Sequence, residues 1–459
     1  MKQRNRIAFF NILSTVVLKG SAFFTGMLFS RLLGGSGYGQ LKLYNISVSI
    51  VTILFSLQTQ TTLANARVEY PEEAQKGYQS SIMTLSVLFF GLCTGLVLVF
   101  LKPLSLGLEL EPMIILLLLF QAFGNFCVEF LNKKNVYEFR AGWNMVLSMV
   151  MVLVPLALAV VLILQMPYET RYVGRVIANS VSYGVVGTAV CVGILLWGRT
   201  YFHREYWKFC LVLALPAVFH NLSDLILNQM DSLMLNALMN TAAVGYYGNA
   251  WGFANFLFIL FQALNNIWCA YFFEEMKNGQ RQAMLEKTRN FLEVFTILSC
   301  GFMLLAPEVY HVYAPKEFWV ATMVIPLFTA AYYVNFLCTF PVNFEYYHKR
   351  PKAVAVITVS SSLLNLVLNF VFIRAMGMAG AAVATLASHC FQLTLHHLYS
   401  VRLGEYPFPL KLWAGYPLVF CGILAVVFLL PDAWFIRWPL GAVLGVFMLL
   451  RIRKRKVLI

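Results

Sequence analysis

Apolar stretches about as long as a bilayer is thick follow one another from end to end of this chain, with only short polar breaks between them. A helix that crosses a bilayer needs roughly 20 apolar residues. Backbone inside lipid must also satisfy its own hydrogen bonds, so stretches of this kind become helices. Windows bounded by charge, Pro and Gly predict helices over 7–32, 41–66, 80–101, 112–132, 141–165 and 173–198. A second series follows over 207–237, 247–272, 287–306, 318–344, 353–373 and 380–401, then a last pair over 410–430 and 433–450. Fourteen spans take ~280 of the 459 residues, and no connection exceeds about 13 residues, which leaves no room for a separate catalytic or nucleic-acid-binding domain. With 12% charged residues, against about 25% in soluble domains, a water-soluble enzyme is excluded. The expected fold class is an all-α polytopic membrane protein.

The net charge of +14 would suggest nucleic acid in a soluble protein, but its distribution gives a plainer cause. If the N-terminus is cytoplasmic, 25 of the 34 Lys and Arg fall on inside segments and 8 on outside ends, with Lys19 alone in mid-helix. That bias is the positive-inside pattern, and it places both termini in the cytoplasm with no nucleic-acid partner. The segment Met1 to Arg6 precedes an apolar stretch too long for a signal-peptide core, so it is expected to open a retained helix. The nine cysteines sit in or beside apolar stretches without CxxC spacing, which predicts free thiols and no metal site.

Three echoes mark an internal duplication. Gly37-Tyr38-Gly39, between predicted helices 1 and 2, is answered by Gly245-Tyr246-Tyr247-Gly248 roughly 210 residues later. Glu129 through Lys134 is answered by Glu345 through Arg350, and Val173-Gly174 through Ala178 by Ala379-Gly380 through Ala384. Because six helices is an even number, two copies share one orientation and are related by a pseudo-twofold axis along the membrane normal. The expected organisation is an N-lobe over 1–200, a C-lobe over 201–402, and a C-terminal helix pair with a basic tail over 403–459.

Polar groups within spans are the functional candidates, since lipid is hostile to them. Lys19 lies near the middle of the first span, and its ~6 Å reach falls well short of the roughly 15 Å half-thickness of the hydrocarbon. It must meet water, an anion or a buried partner such as Asp224. The seventh span is the most polar, carrying His220, Asn221, Asp224, Asn228 and Asp231. His220, Asp224, Asn228 and Asp231 follow helical spacing and are expected on one cavity-lining face. Pro216 in the same span removes a helical hydrogen bond and is a candidate hinge or a static kink. Asn255 and Asn266 in the eighth span, and Asn365 with Asn369 in the eleventh, suit either sugar hydroxyls or interhelical hydrogen bonding. His396 and His397 are expected near the cytoplasmic end, in contact with water. No phosphate-cradling GxxxxGK[ST] is present, which argues against a self-contained ATP-driven pump.

The run Phe29-Ser30-Arg31-Leu32-Leu33-Gly34 before Gly37-Tyr38-Gly39, and Asp231-Ser232-Leu233-Met234-Leu235 before Val244-Gly245-Tyr246, resemble the polysaccharide-transport branch of the multidrug, oligosaccharidyl-lipid and polysaccharide flippase superfamily. The resemblance covers the twelve repeated helices, and the last pair fits the branch's usual fourteen. Ser232 departs from the pattern, since many relatives place a basic residue there, which leaves the charge of Asp231 without its usual partner.

The resemblance implies a non-enzymatic flippase of the bacterial cytoplasmic membrane. It would export undecaprenyl-pyrophosphate-linked oligosaccharide repeat units for O-antigen or capsule by alternating access. In that setting Lys19 would meet the pyrophosphate, and Asn221, Asn255 and Asn266 the sugar. His220, Asp224 or Asp231 would carry a coupling H⁺ or Na⁺, with no other cofactor. Membrane lipids, a polysaccharide polymerase and assembly proteins are the implied partners. A peptidoglycan-precursor flippase and a drug or cation antiporter share the fold class. A membrane-bound polymerase or ligase is the enzymatic alternative, disfavoured by the absence of a large outer loop.

Overall fold

A computed structural model describes the backbone of residues 2–108, 111–138 and 140–455. It describes side chains from residue 23 onward, apart from 107–110, 139, 141, 227, 410–414, 452 and 454–459. Among the described residues the chain is helical without a strand. In order the helices are α1 (Lys2–Phe55), α2 (Leu63–Glu69), α3 (Glu72–Val99), α4 (Leu101–Leu108), α5 (Pro112–Tyr137), α6 (Ala141–Gln165), α7 (Arg171–Gly198) and α8 (Arg204–Leu238). They continue as α9 (Thr241–Lys277), α10 (Arg281–Tyr313), α11 (Ile325–Tyr347), α12 (Pro351–Met376), α13 (Met378–Arg402), α14 (Leu410–Leu429) and α15 (Trp434–Arg455). Eleven of the described helices are long and apolar enough to cross a bilayer, or twelve with the bent pair Phe23–Phe55 and Thr59–Glu69 taken as one span. Fourteen were expected. The shortfall falls on the span 7–32, most of which precedes residue 23, and on 410–430, of which Gly415–Leu429 is described as a shorter apolar helix. This is a multi-pass membrane protein.

The first predicted connection is not a loop. Within α1 only Gly34 leaves helical geometry, with φ 67° and ψ 179°, a conformation glycine adopts at little cost. Gly37-Tyr38-Gly39 is therefore helical. Its counterpart Gly245 through Gly248 is also helical, lying just after Asn240, whose side chain caps α9 by accepting from the Ala243 N–H at 2.9 Å. Both echoes mark the opening of the second helix of a repeat.

The predicted span 41–66 breaks near its end, where Leu57 and Gln58 take φ of 55° and 53°. Side chains occupy that region only at a cost in strain. The break is held by Ser56 Oγ, which accepts from the Gln58 N–H at 3.1 Å, and by Ser86 Oγ, which donates to the Ser56 carbonyl at 2.9 Å. Non-helical backbone at this depth is tolerated where it is buried in protein or lines a cavity, and here it does both.

The chain divides into two compact units, Met1–Met230 and Asp231–Ile459, with the boundary inside α8. In the first unit α7 packs against α5 and α6, and α1 against α5 and α6. The α5–α7 crossing is close enough that a Cβ on Gly124 would lie 2.2 Å from the Tyr183 carbonyl oxygen, so only glycine fits and the backbones meet directly. Small polar groups are buried among apolar ones inside, while the outward faces are apolar, an arrangement a lipid solvent favours. On α3, Ser80, Ser81 and Ser86 are buried while Leu88, Leu92 and Leu96 are exposed.

In the second unit α11 and α12 pack on α13, and α10 packs on α9. An aromatic core fills it, with Trp268 stacked on Phe291 at 5.6 Å and edge-on to Phe340 at 4.8 Å. The last two helices, α14 and α15, pack on α10. Arg437 is buried and pairs with Glu308 while donating to the Leu304 carbonyl at 3.1 Å, and Arg451 pairs with Glu293 at 3.1 Å. Arg437 is thus part of the packing of this pair.

Candidate functional site

The first unit holds a cavity of ≈ 650 Å³ between α1, α5, α6, α7 and α8. Its polar lining comes from two helical stripes and the break after α1. On α5, Asn125, Glu129 and Asn132 recur at i, i+4 and i+7, one face of the helix. On α8, Asn221, Asp224 and Asn228 face the same space. The left-handed turn at Gln58 directs its amide into the cavity wall, where Asn221 Nδ2 donates to Gln58 Oε1 at 2.8 Å. Glu129 pairs with Lys133 at 3.1 Å along α5. Asn228 Nδ2 bonds the Asp224 carbonyl at 2.8 Å.

The amide oxygens of Asn125 and Asn132 are buried and accept no hydrogen bond from the protein. Such an oxygen costs free energy unless something donates to it, so water or a hydroxylated ligand is its natural partner. A second cavity of ≈ 310 Å³ shares Ser49, Asn125, Met151 and Tyr183 with the first and adds Gln121, Asn179 and Arg175. Arg175 is half-buried, lies over the Phe29 ring at 4.3 Å and donates to the Pro155 carbonyl at 3.0 Å. A guanidinium held against an aromatic face keeps donors free for an anion. Beside it Tyr44, Gln121 and Ser180 form a closed cluster, with Ser180 Oγ donating to Gln121 Oε1 at 3.1 Å.

The predicted stripe on α8 is divided. Asp224 and Asn221 line the cavity, whereas His220 is exposed and is not among its lining residues. Asp231 belongs to the second unit. There its carboxylate accepts from Tyr247 Oη at 2.7 Å, Asn369 Nδ2 at 2.6 Å and Thr385 Oγ1 at 3.0 Å, so the charge left open by Ser232 is met by three neutral donors from α9, α12 and α13. Asn369 also donates to Asn365 at 2.9 Å, and its own amide oxygen is buried without a partner.

Asn255 is half-buried and Asn266 exposed, both on α9 and neither lining the first unit's cavity. α8 runs continuously through Pro216, which is exposed. The side chain of Lys19 lies outside the described residues. His396, expected to meet water, is fully buried, with Nδ1 2.9 Å from Glu345 Oε1, and Ser400 Oγ donates to the same oxygen at 3.2 Å. The stripe on α5 was missing from the sequence candidates, although its helical spacing was the signal that could have found it. Gln58 and Arg175 were missing too, Gln58 because only the break turns it toward α8.

The chain thus combines a many-helix membrane fold with a polar cavity inside one unit. The sequence model of the family described as polysaccharide biosynthesis protein matches residues 6–268, more than half of the chain, and the protein belongs to that family. No curated protein matches it in sequence. Among solved structures it is similar to the lipid II flippase MurJ in an inward closed conformation, with TM-score 0.73 and 15% identity over 98% of this chain and 100% of that one. An inward-facing multidrug resistance MATE family transporter of the MOP superfamily gives TM-score 0.60 at 14% identity over 85% of this chain and 95% of that one. A MATE transporter of Vibrio cholerae gives 0.53 at 13% identity, over 89% and 100%. At these identities the likeness is one of fold.

Proposed function

We propose that this protein flips undecaprenyl-pyrophosphate-linked oligosaccharide repeat units across the bacterial cytoplasmic membrane, for O-antigen or capsule synthesis. The observation that carries the reading is the amide-walled cavity of the first unit, with the unpaired acceptor oxygens of Asn125 and Asn132. Sugars present many hydroxyl donors, and a wall of Asn and Gln both accepts from and donates to them. Asn221 and Gln58 extend that wall. Arg175 supplies positive charge for the phosphates, together with Lys19, the cation that the sequence proposes. The polyprenyl chain has no need of the cavity and stays in lipid.

Transport against a gradient needs a coupling cation, H⁺ or Na⁺, and Asp231 is its proposed carrier. The carboxylate with its tyrosine, threonine and asparagine neighbours offers several oxygens, the donor type that hard cations prefer. Asp224, which lines the cavity, is assigned to substrate contact and not to coupling.

The test is deletion in the native host followed by analysis of lipid-linked intermediates. Accumulation of undecaprenyl-linked repeat units on the cytoplasmic leaflet with loss of surface glycan supports the reading. Accumulation on the outer leaflet overturns it in favour of a polymerase or ligase. Accumulation of a peptidoglycan precursor instead would reassign the substrate. Unchanged glycan with new drug sensitivity would point to an antiporter.

A further inference from the structure

We infer that a groove between the C-terminal ends of α5 and α7, in the first unit and apart from the transport cavity, binds the headgroup of an anionic phospholipid of the surrounding bilayer. The groove has a volume of ≈ 400 Å³. Lys134, Arg140 and Trp197 form its polar end, and Leu131, Val190, Gly193 and Ile194 form an apolar wall. Val190 and Trp197 are seven residues apart on α7, so the wall runs ~10 Å from the charged end toward the middle of the helix. A charged head followed by a strip of hydrocarbon is the outline of a phospholipid.

The cations there do not behave as ordinary surface charges. Lys134 is only 8% exposed, although a lysine at a helix end is free to snorkel outward. Its ammonium lies 3.7 Å from the centroid of the Trp197 ring, and that of Lys76 lies 4.8 Å from the same ring. Arg140 is paired with Glu138 at 3.2 Å, and Gln79 also donates to Glu138 at 3.2 Å. Lys133 pairs with Glu129 on the cavity side. Two cations therefore face one indole, with Arg140 and its partner Glu138 beside them in the same groove, and the excess of positive charge calls for an anion.

Positive charge at helix C-termini also favours the helix dipoles and sets topology, but neither effect requires a lysine drawn inward over an indole. The lining includes no Asn, Gln, Ser or Thr, so it lacks the groups that would hold a sugar. That favours a simple phosphate headgroup over the lipid-linked oligosaccharide. A Cβ added at Gly193 would meet nothing within 4 Å, so the groove is open at that point and a larger residue there can fill it without disturbing the fold.

The experiment is native mass spectrometry of the full-length protein in detergent, titrated with dioleoylphosphatidylglycerol, dioleoylphosphatidylcholine or farnesyl pyrophosphate. Two variants are compared with wild type, the charge-removing pair Lys134→Ala with Arg140→Ala, and Gly193→Leu, which blocks the groove and keeps every charge. The expected result is one phosphatidylglycerol adduct weakened roughly tenfold or more in both variants, as the loss of two basic contacts predicts, with phosphatidylcholine adducts unchanged. Equal phosphatidylglycerol binding in wild type and Gly193→Leu overturns the proposal. A defect confined to farnesyl pyrophosphate also overturns it, and would make the groove a contact for the transported lipid. Neither result bears on whether the cavity carries sugar, which the deletion experiment decides separately.

Discussion

The two units treat their polar residues in opposite ways. In the first, Glu129 sits on the cavity wall, partly exposed and paired only with Lys133 one turn away, and Asn125 and Asn132 keep unpaired oxygens. In the second, the echo of Glu129 is Glu345, fully buried against His396 and Ser400, and Asp231 is held by donors from three helices. Polar groups that bind each other are satisfied within the protein, while polar groups that face open space remain available to a polar ligand.

The largest effect expected from this contrast is on stability. Glu345→Ala strips a buried imidazole of its partner and should cost about 3–5 kcal/mol, read as a large fall in melting temperature. The matching change Glu129→Ala removes an exposed pair worth about 0.3–0.5 kcal/mol. Equal melting temperatures for the two variants would break the comparison.

Asp231→Asn tests whether the second unit's other cluster serves coupling. Transport in proteoliposomes should fall roughly 5- to 150-fold, the range of a typical coupling free energy, and lose its dependence on the ion gradient. A variant that keeps its gradient dependence assigns Asp231 to structure alone.

The shared scaffold can be tested at its glycines. Gly174 and Gly380 are repeat partners, and each lets its helix lie against the preceding one. A Cβ would fall 3.3 Å from Ile163 N at Gly174, and 2.0 Å from the Phe372 carbonyl oxygen at Gly380. Alanine at either position should destabilise by about 1–3 kcal/mol, with Gly380→Ala at the upper end because backbone cannot step aside. If Gly174→Ala proved the more harmful in thermal melting, the packing argument would be wrong.

The smallest stability effect belongs to the cavity. Asn125→Leu combined with Asn132→Leu removes two unpaired oxygens and should leave melting within about 0.5 kcal/mol of wild type. Transport should drop roughly tenfold if each oxygen accepts one substrate hydrogen bond. Full transport by this double variant would take both residues out of the site.

Much of the fold could be read in the sequence, because a bilayer sets the length and polarity of a span so strictly. The positions of most helices and the polar character of α8 follow from apolar runs and short-range spacing. Two of the readings that failed did so where geometry departs from regular helix. Gly34 takes the chain from one helix to the next with a single residue, so the expected loop has no length, and the break at Leu57 and Gln58 has no local sequence signal beyond polar residues that would also suit a helix.

The sequence by itself determined that this chain is a many-helix membrane protein, and it identified which residues are too polar to face lipid. Periodicity places a side chain on a face of its own helix, but it carries no information about which other helix that face meets. Only the tertiary structure decided that Asn221 would meet Gln58, 163 residues away, and that Asp224 would border the first unit's cavity while Asp231, two turns further on, would be enclosed by Tyr247, Asn369 and Thr385. It decided equally that His396 would be buried against Glu345 and not wet. The physical reason is that a polar group's role depends on whether its partner comes from the protein or from outside, and that partner is selected by how whole helices pack.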